Sequence, residues 1–587
     1  MTPHKRACTW ITLAAGVYLF FSLTFLELPG LQYDEVNFAN AALGRVEDSF
    51  IAWSFEVFGN RLPLMVMNYI GAVKSALYAP VFHFFGASAN TARLPVVLIG
   101  MLTLLFSYAL FRDMFNVRIA GAALMLFATD PTFIFANRLD WGPVSLMLAF
   151  EVSSLYFLWR WMSEGRRPNL VLSGFLMGLG LYNKIIFGWF IAALFISMAL
   201  FYREKVRQLL SPRNLCCFLP PLLLGCLPLI AFNIAIPGGT FRGRPVMTAR
   251  LSDSLAYHYR LFQITLDGSA IYQFVNQEEV ANPAPVIQKA SPEGISPLLK
   301  KLAGFQSIKN TWMSYALPGS LLLILVIAFI FGLREKRKIL FLISQLLLIA
   351  GFICLTAEAT GSHHVIAFYP FLFAVVAYAA CELGWVLWKS GTVEIVIISA
   401  CIACLVFPQL VVDARYLLSF EAKGGVGAWS DAIYELASFT HRHPEKTFVL
   451  MEWGFNTQLA FLSQGPMRKE EFVCSPDRLE ICMEALVHRE DAYFVFHLPP
   501  FESPSRFPAF KKVLGRFGMR GRTIQTFYQR DGRPIYIVYE IFRPGMEADA
   551  SRKEHGTDKE CTTQEANRRD RAFHPRHERW FLQPVSQ

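Results

Sequence analysis

Apolar residues in this chain come in runs, with neither the period of two of a half-buried strand nor the period of 3.6 of an amphipathic helix. The runs are about 18–22 residues long, the length a helix needs to cross roughly 30 Å of hydrocarbon. They fall at 9–28, 94–111, 119–136, 142–161, 170–182 with its flanks, 185–202, 215–236, 313–333, 339–357, 364–387 and 392–412. That pattern predicts a polytopic α-helical membrane protein with about eleven spans. One further apolar stretch, Leu64–Phe85, carries Asn68, Lys74 and His83 and is broken by Pro63 and Pro80. A central lysine makes a poor span, so this stretch is expected as helices lying in the interface, polar groups on one face.

The polar punctuation orients the runs. With the basic start MTPHKR in the cytoplasm and 64–85 left out of the count, the basic loops all fall on the cytoplasmic side, as the positive-inside rule requires. LQYDE, NRLDW, YNK and EATGSHH then emerge on the outer face, together with long outer loops at 29–93 and 237–312. No small-residue cleavage site follows the first run, which is read as an uncleaved helix.

After residue 413 the pattern changes. KTFVLMEW and DAYFVFHL read as strands, GFNTQLAFLSQ as a helix, and TIQTFYQRDGRPIYIVYEI as a hairpin turning at Asp531-Gly532. The expected organisation is a membrane domain over 1–413, a small extracytoplasmic α/β domain over 414–545, and a polar, irregular, disordered tail over 546–587.

Composition sharpens this picture. The 587 residues are 54% hydrophobic and 17% charged, with a mean hydropathy of +0.36; soluble domains carry about 25% charged residues. The net charge of +10 is spread over short loops, so it argues against a nucleic-acid partner. Of eleven cysteines, most lie within apolar runs as small hydrophobes. Cys474 and Cys482 lie in the soluble portion and can pair if that portion is extracytoplasmic.

Four polar groups share the outer face: Asp34-Glu35, the Arg138-Leu139-Asp140 corner, Lys184, and His363-His364. Each alone has an ordinary reading as helix-boundary solvation, capping or snorkelling. Together they suggest one site. A carboxylate such as Asp34 suits a general base, with Glu35, Arg138 and Asp140 positioning acceptor or donor. Lys184 and Lys74 offer point charges for a phosphate, and His363 and His364 offer hydrogen bonds to phosphate or sugar. Arg242, Arg244 and Arg250 in the long loop are further candidates for phosphate. Adjacent histidines without a Cys/His cluster do not make a metal site, so no metal ligand is assigned, no cofactor is specified and a divalent-metal requirement is left open.

An acidic pair after the first helix, a segment ending in F-G before T-A-R-L-P, and R-L-D-W-G-P at a later exit resemble the GT-C class of polyprenyl-phosphate-sugar-dependent membrane glycosyltransferases. Within it, protein O-mannosyltransferases and lipid A aminoarabinose transferases are the nearest types, over about residues 9–415. The resemblance implies a lipid-linked sugar donor, a lipid, glycan or protein acceptor, and inverting transfer to a hydroxyl at the outer face of the inner membrane. It matches Asp34 to the catalytic aspartate, Asp140 to a later acidic position, and Lys184 to a lysine near the donor phosphate. The competing readings are a lipid-linked-sugar flippase or transporter, and a non-catalytic membrane subunit. Notable charges at helix ends and no visible inverted repeat favour the enzyme.

Overall fold

The computed structural model describes residues 3–31, 33–45, 51–140, 142–242, 251–276, 291, 293–304, 309–357, 359–388, 391–452, 454–463, 467–475, 478–499, 501 and 506–544. The chain divides into two compact units. The first comprises Met1–Leu26 and Asp34–Ala422; the second comprises Glu27–Tyr33 and Lys423–Gln587.

The first unit is helical, and the protein is a multi-pass membrane protein. Among the described residues five helices are long and apolar enough to cross a membrane, or up to eight if each sharply bent pair is one span. Eleven spans were expected. Helix α1 (Pro3–Leu23) has an apolar portion of only Ala7–Leu23.

After α1 come helix α2 (Tyr33–Ala42) and three strands, β1 (Trp53–Val57), β2 (Asn60–Met67) and β3 (Ile70–Gly71), then α3 (Val73–Phe85). Where helices were expected over 64–85, the chain is helical only from Val73 onward; before that it is strand. Phe58 and Gly59 both adopt positive φ, 49° and 78°, the geometry of a tight hairpin turn. That turn pairs β1 with β2 antiparallel, and β3 completes the sheet on the other side of β2. Pro63 is tolerated in β2 beside the register shift opposite Trp53/Ser54.

Next come α4 (Ala89–Met114), α5 (Val117–Ala128), α6 (Pro131–Leu139), α7 (Val144–Glu164), α8 (Arg167–Asn183) and α9 (Phe187–Phe201). A capping box of Ser88 and Thr91 starts α4. The run 119–136 is not continuous: α5 and α6 meet at a 60° bend. Asp130 caps α6 by accepting from Phe133 N at 2.9 Å, with Pro131 in the first turn, a strong helix-start signal. Spans at Thr311–Ile330, Lys336–Leu355, Ser362–Leu387 and Gly391–Lys423 follow.

The second unit holds a five-stranded mixed sheet. In chain order its strands are β4 (Thr447–Leu450), β5 (Lys469–Glu471), β6 (Ala492–His497), β7 (Arg520–Tyr528) and β8 (Pro534–Phe542), arranged β5-β4-β6-β8-β7. β5, β4 and β6 are parallel; β8 is antiparallel to both β6 and β7. Phe494 and Phe496 on one face of β6 pack against Phe507 and Phe510 of the helix Arg506–Arg516. Cys474 and Cys482 are joined by a disulfide. Residues 545–587, including the expected tail, lie outside the described residues.

Candidate active site

The first unit gathers buried charge at the C-terminal end of α6. Asp140 ends that helix in the left-handed conformation, φ 44° and ψ 66°, which costs a non-glycine residue about 1 kcal/mol or more. Its carboxylate is heavily engaged. Oδ1 accepts from Ser145 N at 3.0 Å and Ser145 Oγ at 2.9 Å, which ties the corner to the start of α7. Oδ2 lies 2.6 Å from Lys74 Nζ, both side chains being buried. Lys74, one of the expected phosphate ligands, is therefore the counter-ion of Asp140, one of the expected positioning groups.

Lys184 stands at the same corner. It is buried, and a Cβ on Gly142 (φ 59°) would lie 3.5 Å from its Nζ. The loop that carries Lys184 is stitched to the small sheet: Tyr182 OH donates to Leu64 O at 2.7 Å, and Ile185 N to Tyr69 O at 3.0 Å. Asn183 Nδ2 donates to Pro143 O at 2.9 Å. The sheet thus fixes two lysines at one corner, one through α3 and one through the α8–α9 loop.

A second buried pair lies alongside. Arg93 of α4 grips Glu35 of α2 through two bonds, Nε to Oε1 at 3.0 Å and Nη2 to Oε2 at 3.3 Å. A third bond runs from Arg93 Nη1 to Leu26 O at 2.9 Å. Tyr78 of α3 bridges the two pairs. Its ring lies 5.4 Å from Lys74 Nζ, its hydroxyl donates to Ala92 O at 2.7 Å, and the charges of Asp140, Glu35 and Arg93 all reach it. Phe38 of α2 lies on Lys74 as well, 5.0 Å from its ammonium. Position 34 is one helical turn before Phe38 on α2, so the two share a face. The Asp34 side chain lies outside the described residues.

Arg138 takes a different place. Its guanidinium donates to the carbonyls of Phe21 at 3.2 Å, Thr24 at 2.7 Å, and Phe25. It closes the carboxyl end of α1, where carbonyls lack intrahelical partners and the helix dipole favours a cation. His363 and His364 begin the helix before Tyr369, their rings 4.0 Å apart, with His364 edge-on to Trp189 of α9. The Lys184 charge reaches both rings. Arg242 is exposed, while Arg244, Arg250 and Trp141 lie outside the described residues.

Sequence reasoning assigned no role to Arg93, Tyr78 or Ser145. Arg93 had a usable signal: an arginine at the start of a long apolar helix needs a partner or an interface.

Residues 73–231 match the family model described as dolichyl-phosphate-mannose-protein mannosyltransferase, a stretch that holds Lys74, Tyr78, Arg93, Asp140 and Lys184. No curated protein matches the sequence. Among solved structures, ArnT from Cupriavidus metallidurans bound to undecaprenyl phosphate superposes with a TM-score of 0.55 at 12% identity, over 90% of this chain and 98% of that one. Its apo form gives the same score and identity over 91% and 98%. The fold is that of the GT-C glycosyltransferases. AglB from Archaeoglobus fulgidus, in complex with an inhibitory peptide and a dolichol-phosphate, scores 0.49 at 13% identity, over 92% of this chain and 74% of that one.

Proposed function

We propose that this GT-C protein transfers a sugar from a polyprenyl-phosphate-linked donor to an acceptor hydroxyl at the outer face of the inner membrane, with inversion at the anomeric carbon. The supporting observation is the buried corner where Lys74 pairs with Asp140 and Lys184 stands beside Gly142, in a fold shared with a protein solved with undecaprenyl phosphate.

In this reading Asp34 is the base. Its carboxylate takes the acceptor hydroxyl proton as the oxygen attacks the anomeric carbon, and the bond from that carbon to the phosphate oxygen breaks. The electron pair leaves with the polyprenyl phosphate. Phosphate is a good leaving group, so no strong acid is needed. What it requires is fixed positive charge, which Lys184 supplies in surroundings screened from water, with the Lys74 ammonium, held by Asp140, as a hydrogen-bond donor beside it. His363 and His364 donate hydrogen bonds to the phosphate or sugar. The Glu35–Arg93 fork holds α2 against α4, and with it the backbone of Asp34. Asp140 orients Lys74, and Arg138 anchors α1 at the corner. The three groups expected to position substrate thus act through the scaffold.

The second unit belongs outside the cytoplasm in this account. Its Cys474–Cys482 disulfide is of a kind that persists in oxidising compartments. The N-terminus is then cytoplasmic. Purified full-length protein in liposomes, given radiolabelled polyprenyl-phosphate sugars and an outer-envelope lipid extract, tests the activity. Label moving to an acceptor, with polyprenyl phosphate released in equal amount, supports it. Label retained on the polyprenyl donor but carried across the bilayer would instead establish a flippase.

A further inference from the structure

Midway along the first unit, three buried loops or helices converge on Gly268. A Cβ there would lie 3.1 Å from the Pro131 ring and 3.2 Å from a Val412 methyl. Each of the three residues adjoins an aspartate: Asp267, Asp130 and Asp413, all buried. Asp267 is occupied as a cap, accepting from Ser269 N at 2.9 Å. The other two have no ion-pair partner among the described residues. Among the described residues the bonds of Asp130 come from neutral groups: Phe133 N, the Thr132 backbone and Gln409 Nε2, the last at a long 3.3 Å. Asp413 is fully buried, and neither of its oxygens has a hydrogen-bond partner among the described residues. The Asp130 charge reaches it.

A buried carboxylate with no donor and no counter-charge is among the costliest groups a fold can hold. Gln409, which bonds Asp130, lies one helical turn before Asp413 in the helix Gly391–Lys423, and two buried carboxylates so close call for charge between them. We propose that Asp130 and Asp413 hold one divalent hard cation, such as Mg²⁺, Ca²⁺ or Mn²⁺, between the α5–α6 break and the helix Gly391–Lys423. Two carboxylates match a double positive charge, and carboxylate oxygen is the ligand type of hard cations. Among the described residues no group of three or more His, Cys, Asp or Glu is arranged to hold a metal ion, so this is a two-carboxylate site completed by neutral oxygens.

Gln409 supplies one of them. As placed, its Oε1 accepts from Thr129 Oγ1 at 2.8 Å and its Nε2 faces Asp130. Turning the amide over keeps Thr129 satisfied, because Thr129 then accepts from Nε2 while donating to Met125 O at 2.8 Å. The same turn brings Oε1 towards Asp130, where a cation belongs between the two oxygens.

The consequence reaches the outer corner. Asp130 caps α6, whose other end carries Arg138 and Asp140, about 13 Å away by helical rise. A cation joining Asp130 to Asp413 fixes α6 against the helix Gly391–Lys423 and so sets the position of that corner.

The test uses the full chain in detergent at neutral pH, stripped with chelator and titrated with Mn²⁺ while the free ion is followed by electron paramagnetic resonance. Wild type is expected to take up one more Mn²⁺ per chain than Asp413→Asn, with Mg²⁺ or Ca²⁺ competing for it. Gln409→Leu should weaken that uptake tenfold or more. Asp34→Asn should leave it in place, which separates it from any ion at the proposed catalytic base. Should Asp413→Asn fail to fold, the unfolding midpoint of wild type decides: a saturable rise with Mn²⁺ above that of salt-matched KCl supports the site. Equal uptake by wild type and Asp413→Asn overturns it. So does a midpoint indifferent to Mn²⁺ that rises only on acidification, since the carboxyls are then simply protonated.

Discussion

Lys74 and Asp140, 66 positions apart in sequence, form a buried ion pair with 2.6 Å between Nζ and Oδ2. The pair joins the segment after the small sheet to the end of the broken span, and it organises the corner at which Lys184 also stands.

Removing one partner strands the other in a medium where an uncompensated charge is expensive. Lys74→Met or Asp140→Asn alone is expected to lower stability by about 3–5 kcal/mol. The double variant should recover much of that loss while transfer stays abolished in all three. Thermal unfolding in detergent, measured beside single-turnover transfer, separates the two effects. Recovery of activity in the double variant would mean that the pair serves only folding.

Arg93→Lys keeps the charge but loses the two-pronged grip on Glu35 and the bond to Leu26 O. Each hydrogen bond to a charged group contributes about 1.5–3 kcal/mol, and lysine cannot reproduce the planar fork. The expected result is a drop in kcat with KM for the donor little changed, because α2 loses its position and not its chemistry. An unaltered kcat would show that the fork does not position α2.

Much of this was legible in the sequence, and the parts that were not have identifiable causes. The apolar runs reveal a membrane protein because length and composition suffice. LQYDE, RLD, YNK and SHH read as outer-face groups because each ends a run. Which of them touch is a different matter: nothing local says that Lys74 meets Asp140, or that Arg138 turns back to the α1 carbonyls. The T-D-P at 129–131 does mark a helix start, but the surrounding apolar run masks it. The hairpin at 53–67 turns on Phe58-Gly59, outside the usual Asn-Gly vocabulary, so its second strand reads as helix.

Gly71 offers a steric test of how the sheet seats Lys184. A Cβ there would stand 2.3 Å from the Tyr182 ring and 2.4 Å from the Tyr182 carbonyl oxygen. The ring can swing away; the backbone oxygen cannot. Gly71→Ala is expected to cost about 1–3 kcal/mol as an overpacking substitution and to reduce transfer. Adding Tyr182→Ala should not restore either, as unfolding and transfer assays would show; full restoration would put the clash at the ring alone.

In the second unit, burial opposes ionisation of Glu540, but hydrogen bonds from Lys446 and Arg522 outweigh it and hold its carboxyl below the usual range. A depressed carboxyl contributes stability that is present above its unfolded value, about 4.3, and is lost as pH falls through the lower folded value. Hydrogen-exchange protection of β7 and β8 in the full chain, corrected for the intrinsic pH dependence of exchange, should therefore fall below about pH 4. Lys446→Met should flatten that dependence by raising the folded value towards the unfolded one. An unchanged acid profile would assign the lability to other groups.

In the proposed reaction Asp34 removes the proton from the acceptor. Asp34→Asn keeps the size of the side chain and removes its basicity. Wild type and this variant, at matched expression, should be compared for transfer from labelled polyprenyl-phosphate sugars in a single turnover. The variant is expected still to bind donor but to form product at least a hundredfold more slowly, the lower end of the range of about 10²–10⁴ that general-base catalysis contributes. Equal rates would contradict it and leave Asp34 a residue of the helix boundary.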